Sequence, residues 1–325
     1  MTRAGRSAAI AVCLSSASVF APLSPTAHAD PPAAMVQRDV VEVAPARGIQ
    51  IELVDIDNRL GDVRIEGHDR ETISILAVKR APDQDTMERL KVSLVPDPDG
   101  PVTIKTSLKA GQESRPIPAG SVRIDLVIMT PRHARVRAQV WKGRVGVKGV
   151  DNGAELVTDE GDIDVTEVSG SVTTQSGHGR HTFAQVYGAV DAQAVDGDMD
   201  LDLVRGDRLA AVVHMGDIIG RRIRVRDLSV RIVRGSVRLE GEAVAGGHYS
   251  VASYWGNVEV KFSSKGPMRV RAMARAGEIH LPARFQRRRM EGSFVTGYAS
   301  GTAGIREPAE FELRTHIGMI TLAEF

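Results

Sequence analysis

Glu160-Gly161-Asp162-Ile163-Asp164-Val165 and Asp196-Gly197-Asp198-Met199-Asp200-Leu201 are two copies of one six-residue pattern. In each, a glycine is followed by aspartate, and apolar and acidic residues then alternate. Strict alternation puts the apolar set on one face of a strand and the acids on the other. The glycine supplies the positive φ or close backbone approach that a tight corner needs, and the aspartate after it can hydrogen-bond the turn. The pattern is therefore a corner leading into a strand with one buried face.

The same unit recurs along the chain. Leu60-Gly61-Asp62-Val63 is an early copy, and Lys142-Gly143-Arg144-Val145 begins a regular series. Gly161-Asp162, Gly197-Asp198, Gly216-Asp217, Gly235, Gly256, Gly277 and Gly318 continue it. With the weaker Gly177 and Gly297 included, the steps from Gly143 are 18, 16, 20, 19, 19, 21, 21, 20 and 21 residues. A second alternating run precedes each glycine, as in Leu228-Ser229-Val230-Arg231-Ile232. One glycine corner per two short strands is the signature of a coil in a β-solenoid. An antiparallel sandwich of hairpins, the competing reading, would place a turn after every strand. The expected fold is thus all-β, a solenoid of about 20-residue repeats over 141–325.

Residues 48–140 read as a less regular β region. Asp83 to Leu90 (DQDTMERL) is the one helical turn in it, and Lys109 to Gly120, with Pro116 and Pro118, is a loop. Residues 30–47 read as a flexible segment, Pro/Ala-rich to Val36, and a first strand. Arg3 and Arg6 precede a short apolar run, and Ala27-His28-Ala29 places small residues where a signal peptidase reads them. Export with cleavage after Ala29 is expected, leaving no transmembrane segment in the mature chain. Cys13, the only cysteine, would leave with the leader, so neither disulfides nor thiol chemistry are expected.

With these residues in view, the chain resembles the bacterial "putative adhesin" family of β-strand-repeat proteins, a domain of unknown function. The resemblance rests on Leu60 to Gly67, on Thr130-Pro131-Arg132-His133-Ala134-Arg135-Val136 leading into Gly143, on the Gly-Asp corners, and on Phe311 to Ile320. It spans roughly residues 40–325. It implies an exported, envelope-associated β-solenoid and carries over no catalytic residue. Ser236, Asn257, Glu278 and Met319 stand where the family has aspartate after glycine, which argues against a metal role shared by those aspartates.

Charge changes sign along the repeats although the whole chain is nearly balanced, at net +1. Residues 151–202 carry twelve acids against Arg180, and residues 203–239 carry nine arginines against three aspartates. If Asp162 and Asp198 align on neighbouring coils, a divalent cation such as Ca²⁺ could bridge them; the spacings match no dedicated calcium loop, and a solvated face with turn-capping acids is the simpler expectation. Arg222, Arg224, Arg226, Arg231 and Arg238 are the candidate anion-binding face, against the alternative of a charged face that keeps an array soluble. His178 and His181 are expected in a surface turn. Trp141, Tyr254 and Trp255 are expected to pack at coil corners.

No nucleophile elbow or other catalytic motif gathers the Ser, His and Asp residues. Aromatics are too few, at 4%, and net charge too low for a nucleic-acid partner. The expected function is a non-enzymatic envelope scaffold or binding module without a cofactor, facing an anionic surface, glycan or protein. The alternatives are a carbohydrate-active enzyme on a solenoid and a sensory component with a protein partner. The enzyme would require a concave cluster of acids with Arg or Lys on adjacent coils.

Overall fold

The structure is a computed structural model describing residues 12–17, 35–44, 50–96, 101–109, 121–283, 285–290, 294–299 and 307–323. The expected cleavage site after Ala29 and nearly all of the loop expected at 109–120 lie outside these residues. The described chain is almost entirely strand. Its one helix, Gln84–Arg89, starts where Asp83 accepts a hydrogen bond from the Thr86 N–H (2.7 Å), the N-cap that frees a helix start from an orphan donor. The chain divides into two compact units, Met1–Asn152 with Leu156–Thr158, and Gly153–Glu155 with Asp159–Phe325.

In the first unit, Leu53–Leu60 and Val63–His68 flank the Gly61 corner. They pair in parallel with Arg135–Lys142 and Val145–Lys148, which flank Gly143. On their other side lie Val102–Leu108 and Arg123–Pro131. Antiparallel strands extend the sheet further: Leu90–Pro96 beside Val102–Leu108, and Ile73–Ala81 beside Arg123–Pro131. Met35–Val43 follows, so the first strand begins earlier than a flexible stretch to Val36 implies, and Val12–Ala17 pairs with it in turn. Buried Asn58 interrupts the apolar interior. Its amide donates to Gly61 O and Ile124 O (both 3.0 Å), and its Oδ1 accepts from Thr106 Oγ1 (2.7 Å), so no polar group is left unmet.

The second unit is a stack of parallel coils in register. Ile163–Ser169 pairs with His181–Tyr187, then Met199–Met215, Ile218–Arg234, Val237–Ala243 and Val258–Ser264 follow. The segments that precede each glycine pair likewise, from Val172–His178 through Val190–Asp196 to His248–Trp255. Four successive coils bend again at a left-handed, non-glycine residue: Glu167, Gln185, Leu203 and Arg222 all have φ between 54° and 58°. Inward residues align from coil to coil, and Val168, Val186, Val204 and Ile223 are all fully buried. Near the C-terminal end the interior turns aromatic. Tyr249 stacks on Phe311 at 4.5 Å, and its hydroxyl donates to Val225 O (2.9 Å).

The structure departs from the expected period at two glycines. Gly177 lies inside the strand Val172–His178, and the corner belongs to Gly179, with φ +144°. Gly297 lies inside Phe294–Ala299, which runs antiparallel to Met268–Ala276 and to Gln286–Met290. Nor do the last coils stack in sequence order. Ala309–Ile317 is inserted between His248–Trp255 and Met268–Ala276, and Ile320–Ala323 between Val258–Ser264 and Ile279–His280. The spatial order of corners is therefore Gly235, Gly256, Gly318, Gly277. The antiparallel pair 286–290 and 294–299 covers the edge of 268–276, an edge that would otherwise offer free N–H and C=O groups to another chain.

Candidate functional site

The corner glycines stack directly on one another. The Gly179 N–H donates to Asp196 O and the Gly197 N–H to Met215 O, both at 2.9 Å. Gly177 and Gly297 apart, the glycines expected as corners, from Gly61 to Gly318, have φ between +126° and +156°. The residue after each glycine has a definite task. Asp162 Oδ1 accepts from the Arg180 N–H (3.0 Å), Asp198 from the Asp217 N–H (3.0 Å), and Asp217 from the Ser236 N–H (2.7 Å). Asp62 does the same for the Arg144 N–H (2.8 Å) in the first unit. Each side chain thus ties its own corner to the next coil, and such a charge-assisted bond needs no metal. Asn257 keeps the role, accepting from the Met319 N–H at 2.9 Å, and Ser236 keeps a longer version of it (3.4 Å).

Placing the corner at Gly179 also corrects the pairing of Asp162 with Asp198. Arg180 sits between them. Its guanidinium reaches Asp198 Oδ2 (2.8 Å) and Asp200 Oδ2 (3.3 Å) while its backbone serves Asp162. The like-charge repulsion that would draw a cation is already offset by a side chain. Among the described residues no group of three or more His, Cys, Asp or Glu is placed to hold a metal.

His181 is the second correction. It is fully buried, in the inward row between Ile163 and Met199, with Nδ1 3.1 Å from Thr174 Oγ1 and Nε2 2.7 Å from Ser176 Oγ. Exposed His178, three residues earlier, faces Asp196 at 3.6 Å. Burial pushes the His181 pKa down from 6.5 to about 4, against a small opposing pull from Asp162. The unfolded chain therefore takes up this proton at a higher pH than the folded one. Stability is full above pH 6.5 and falls as pH drops towards 4, by about 3 kcal/mol in all for a shift of this size. The measurement is denaturant unfolding across that window for the wild type and His181→Met. The difference between the two slopes should be about one proton, and parallel curves would refute it.

The five arginines of the expected anion face do not share a face. Arg238 stands beside Ile219 in the segment after the corner and binds Glu259 (2.8 Å). Arg222 occupies the left-handed bend and holds Asp202. Arg224 follows the bend and lies 3.8 Å from Glu242. Arg231 belongs to the segment before the next corner, beside Val212, and Arg226 lies between the two. The registers explain why: one 19-residue coil turns through all of these directions, so nearness in sequence is not nearness on a face. Trp141, Tyr254 and Trp255 are 57%, 46% and 41% exposed, standing out from the corners rather than packing in them. Tyr254 stacks on His316 (4.5 Å), and Arg234 lies over Trp255 (5.3 Å).

The structure assembles instead a group that the sequence did not single out. Arg208, Asp227, His248, Glu310 and Arg269 are register partners on five consecutive strands. Two residues further along the strands, Ser229, Ser250, Glu312 and Arg271 form a parallel row. Together they line an open trough of about 420 Å³, with the half-buried serines lying low between longer side chains. Inside it Glu310 is held by Arg269 (2.6 Å) and faces His248 (3.7 Å), and Glu312 is held by Arg314. Only the inserted strand Ala309–Ile317 brings Glu310 and Glu312 here, which is why spacing alone could not reveal the group.

This stacked, glycine-cornered β architecture has a counterpart among known families. Residues 82–218 match the family Toastrack DUF4097. Toastrack is a β-solenoid-like fold, which agrees with the all-β coil expected from the repeat. The match also fits the β-strand-repeat family that the Gly-Asp corners resemble. No curated protein matches the chain. Solved structures similar to it include a putative adhesin from Bacteroides fragilis, at 15% identity and TM-score 0.35, covering 90% of this chain and 98% of that one. A putative cell adhesion protein from Clostridium sporogenes follows, at 10% identity and TM-score 0.27, covering 89% and 100%. The Toastrack segment ends at residue 218, before most of the trough.

Proposed function

We propose that the protein is an exported, non-enzymatic binding or scaffold module of the cell envelope, adhesin-like in the sense that it holds a ligand on its outer strand faces. One observation carries this reading: the inward rows of the coils are closed by packed side chains, so a ligand must be met from outside. The balance of groups in the trough favours binding over chemistry. Glu310 and Glu312 are each held by an arginine, which leaves Asp227 as its one carboxylate with no ion pair among the described residues. Glycoside hydrolysis by a carboxylate pair needs two. Among the described residues no helix is long and apolar enough to cross a membrane.

The test is sedimentation of the chain lacking residues 1–29 with phosphatidylglycerol vesicles, and its retention on immobilised polygalacturonate, at low and high salt. Binding to either that weakens as salt rises is the expected result. Absence of binding to both at low ionic strength would overturn the reading.

A further inference from the structure

We infer that the trough on the strands Met199–Met215, Ile218–Arg234, His248–Trp255, Ala309–Ile317 and Met268–Ala276 is the binding site of a linear anionic glycan. The inference rests on the binding reading above and names its site and ligand class.

Three features of the trough define that ligand. The first is shape. Five strands about 4.8 Å apart give a channel about 19 Å long across the strands, the dimension of a short run of sugar rings rather than of a single small molecule. Its low middle, at Ser229 and Ser250, leaves room for a chain to lie between the taller rows. The second is charge. Glu310 and Glu312 are neutralised within the protein, whereas Arg208 and Arg271 have no ion pair among the described residues, and neither does Arg231 beside the trough. Against these three cations stands Asp227, so the unmatched charge is positive and lies towards both ends. Guanidinium groups are planar donors suited to carboxylate or sulfate.

The third feature is hydroxyl chemistry. Asp227, His248 and the two serine hydroxyls alternate acceptors and donors along the middle of the channel, as the hydroxyls of a sugar require. A lipid surface would not use them. A flat bilayer meets protruding cations and does not reach half-buried serines in a trough. The same rigidity that builds the rows also favours affinity. The side chains ride on paired strands rather than loops, so little ordering is left to occur on binding.

The experiment is calorimetric titration of the chain lacking residues 1–29 with short polygalacturonate and with heparin fragments, neutral dextran being the control. It compares the wild type with three variants. Arg208→Ala/Arg271→Ala removes the end cations. Ser250→Tyr fills the channel without changing charge. Arg205→Ala/Arg238→Ala removes the same charge elsewhere on the coils. Weakening of the anionic glycan by about tenfold in the first two, with little change in the third, is the expected pattern, and the better of the two glycans identifies carboxylate or sulfate. Equal loss in both double variants, or wild-type binding by Ser250→Tyr, would overturn the site. If vesicles or glycans bind while the trough variants behave as wild type, this inference fails alone; if nothing anionic binds at low salt, the general reading fails with it.

Discussion

Deleting residues 309–325 is expected to unfold everything from Met268 onward and to lower the melting temperature of the remaining coils, not to trim the stack by one repeat. In a simple repeat array the last unit in sequence is the last in space, and its removal costs one interface. Here the last unit is internal. Ala309–Ile317 pairs with His248–Trp255 on one side and with Met268–Ala276 on the other. Its loss empties the positions of buried Phe311, Leu313, Ile320 and Leu322, each a side chain whose burial stabilises by about 2 kcal/mol. Tyr249 and Phe262 would face the gap left by Phe311. Two sheet edges would open at once, and the antiparallel strands beyond Met268–Ala276 would lose their attachment. Circular dichroism melting with limited proteolysis reads the outcome. Cleavage within 268–276 is expected in the truncated chain and not in the full one. A truncated chain that melts as before, with that segment protected, would show the coil order to be wrong. An independent check is a crosslink: Ala252→Cys with Arg314→Cys should form a disulfide, since these are register partners.

The second large effect is expected at Gly197. Alanine there should destabilise the second unit by about 4 kcal/mol or more, the range reserved for backbone and packing faults with no easy relief. The φ of +153° is one that side-chain-bearing residues rarely adopt. A Cβ at this position would also lie 1.9 Å from the Gly179 carbonyl oxygen and 2.6 Å from its carbon. Those atoms belong to the neighbouring coil's backbone and are fixed by the Asp196 and Met215 carbonyl bonds, so neither coil can yield without breaking the stack. Gly146→Ala is the control. No atom lies within 4 Å of a Cβ there, and the change should be near neutral. Comparable melting temperatures for the two variants would remove the argument.

Much of this architecture was legible in the amino-acid sequence. Alternation at Asp198 to Leu201 fixes which residues face inward, because a strand has only two faces; it breaks at Leu203, which takes the left-handed bend and leaves Val204 buried. The corner glycines follow from the same logic. What the period could not reveal was coil order, since Gly277 and Gly318 both lie near whole multiples of 20 residues from Gly256, at 21 and 62, whichever is next to it in space. Gly177 and Gly179 are both compatible with the period, and only the register decides that Arg180, not His178, meets Asp162. His181 was misread because Gly-His-Gly-Arg-His looks like a polar turn, while its place in the inward row is set two residues after the true corner. The candidate site was the least legible part. Arg208, Asp227, His248, Glu310 and Arg269 are spread over more than 100 residues, and an inserted strand completes the group. Of the arginines close in sequence, Arg222 and Arg224 line one hollow at the bend, while Arg231 and Arg238 lie on other segments of the coils.

The bonds from the residue after each glycine all point the same way. Asp162 grips the coil of Arg180, Asp198 that of Asp217, and Asn257 that of Met319; the earlier coil always holds the later one. A duplicated coil would therefore bring its own clasp and present a ready acceptor to whatever follows it. Such an array can lengthen or shorten by whole units through internal gene duplication or deletion without any neighbouring residue having to change. The insertion of the final coil marks where that freedom stops: a unit added between residues 268 and 308 would have no successor to hold.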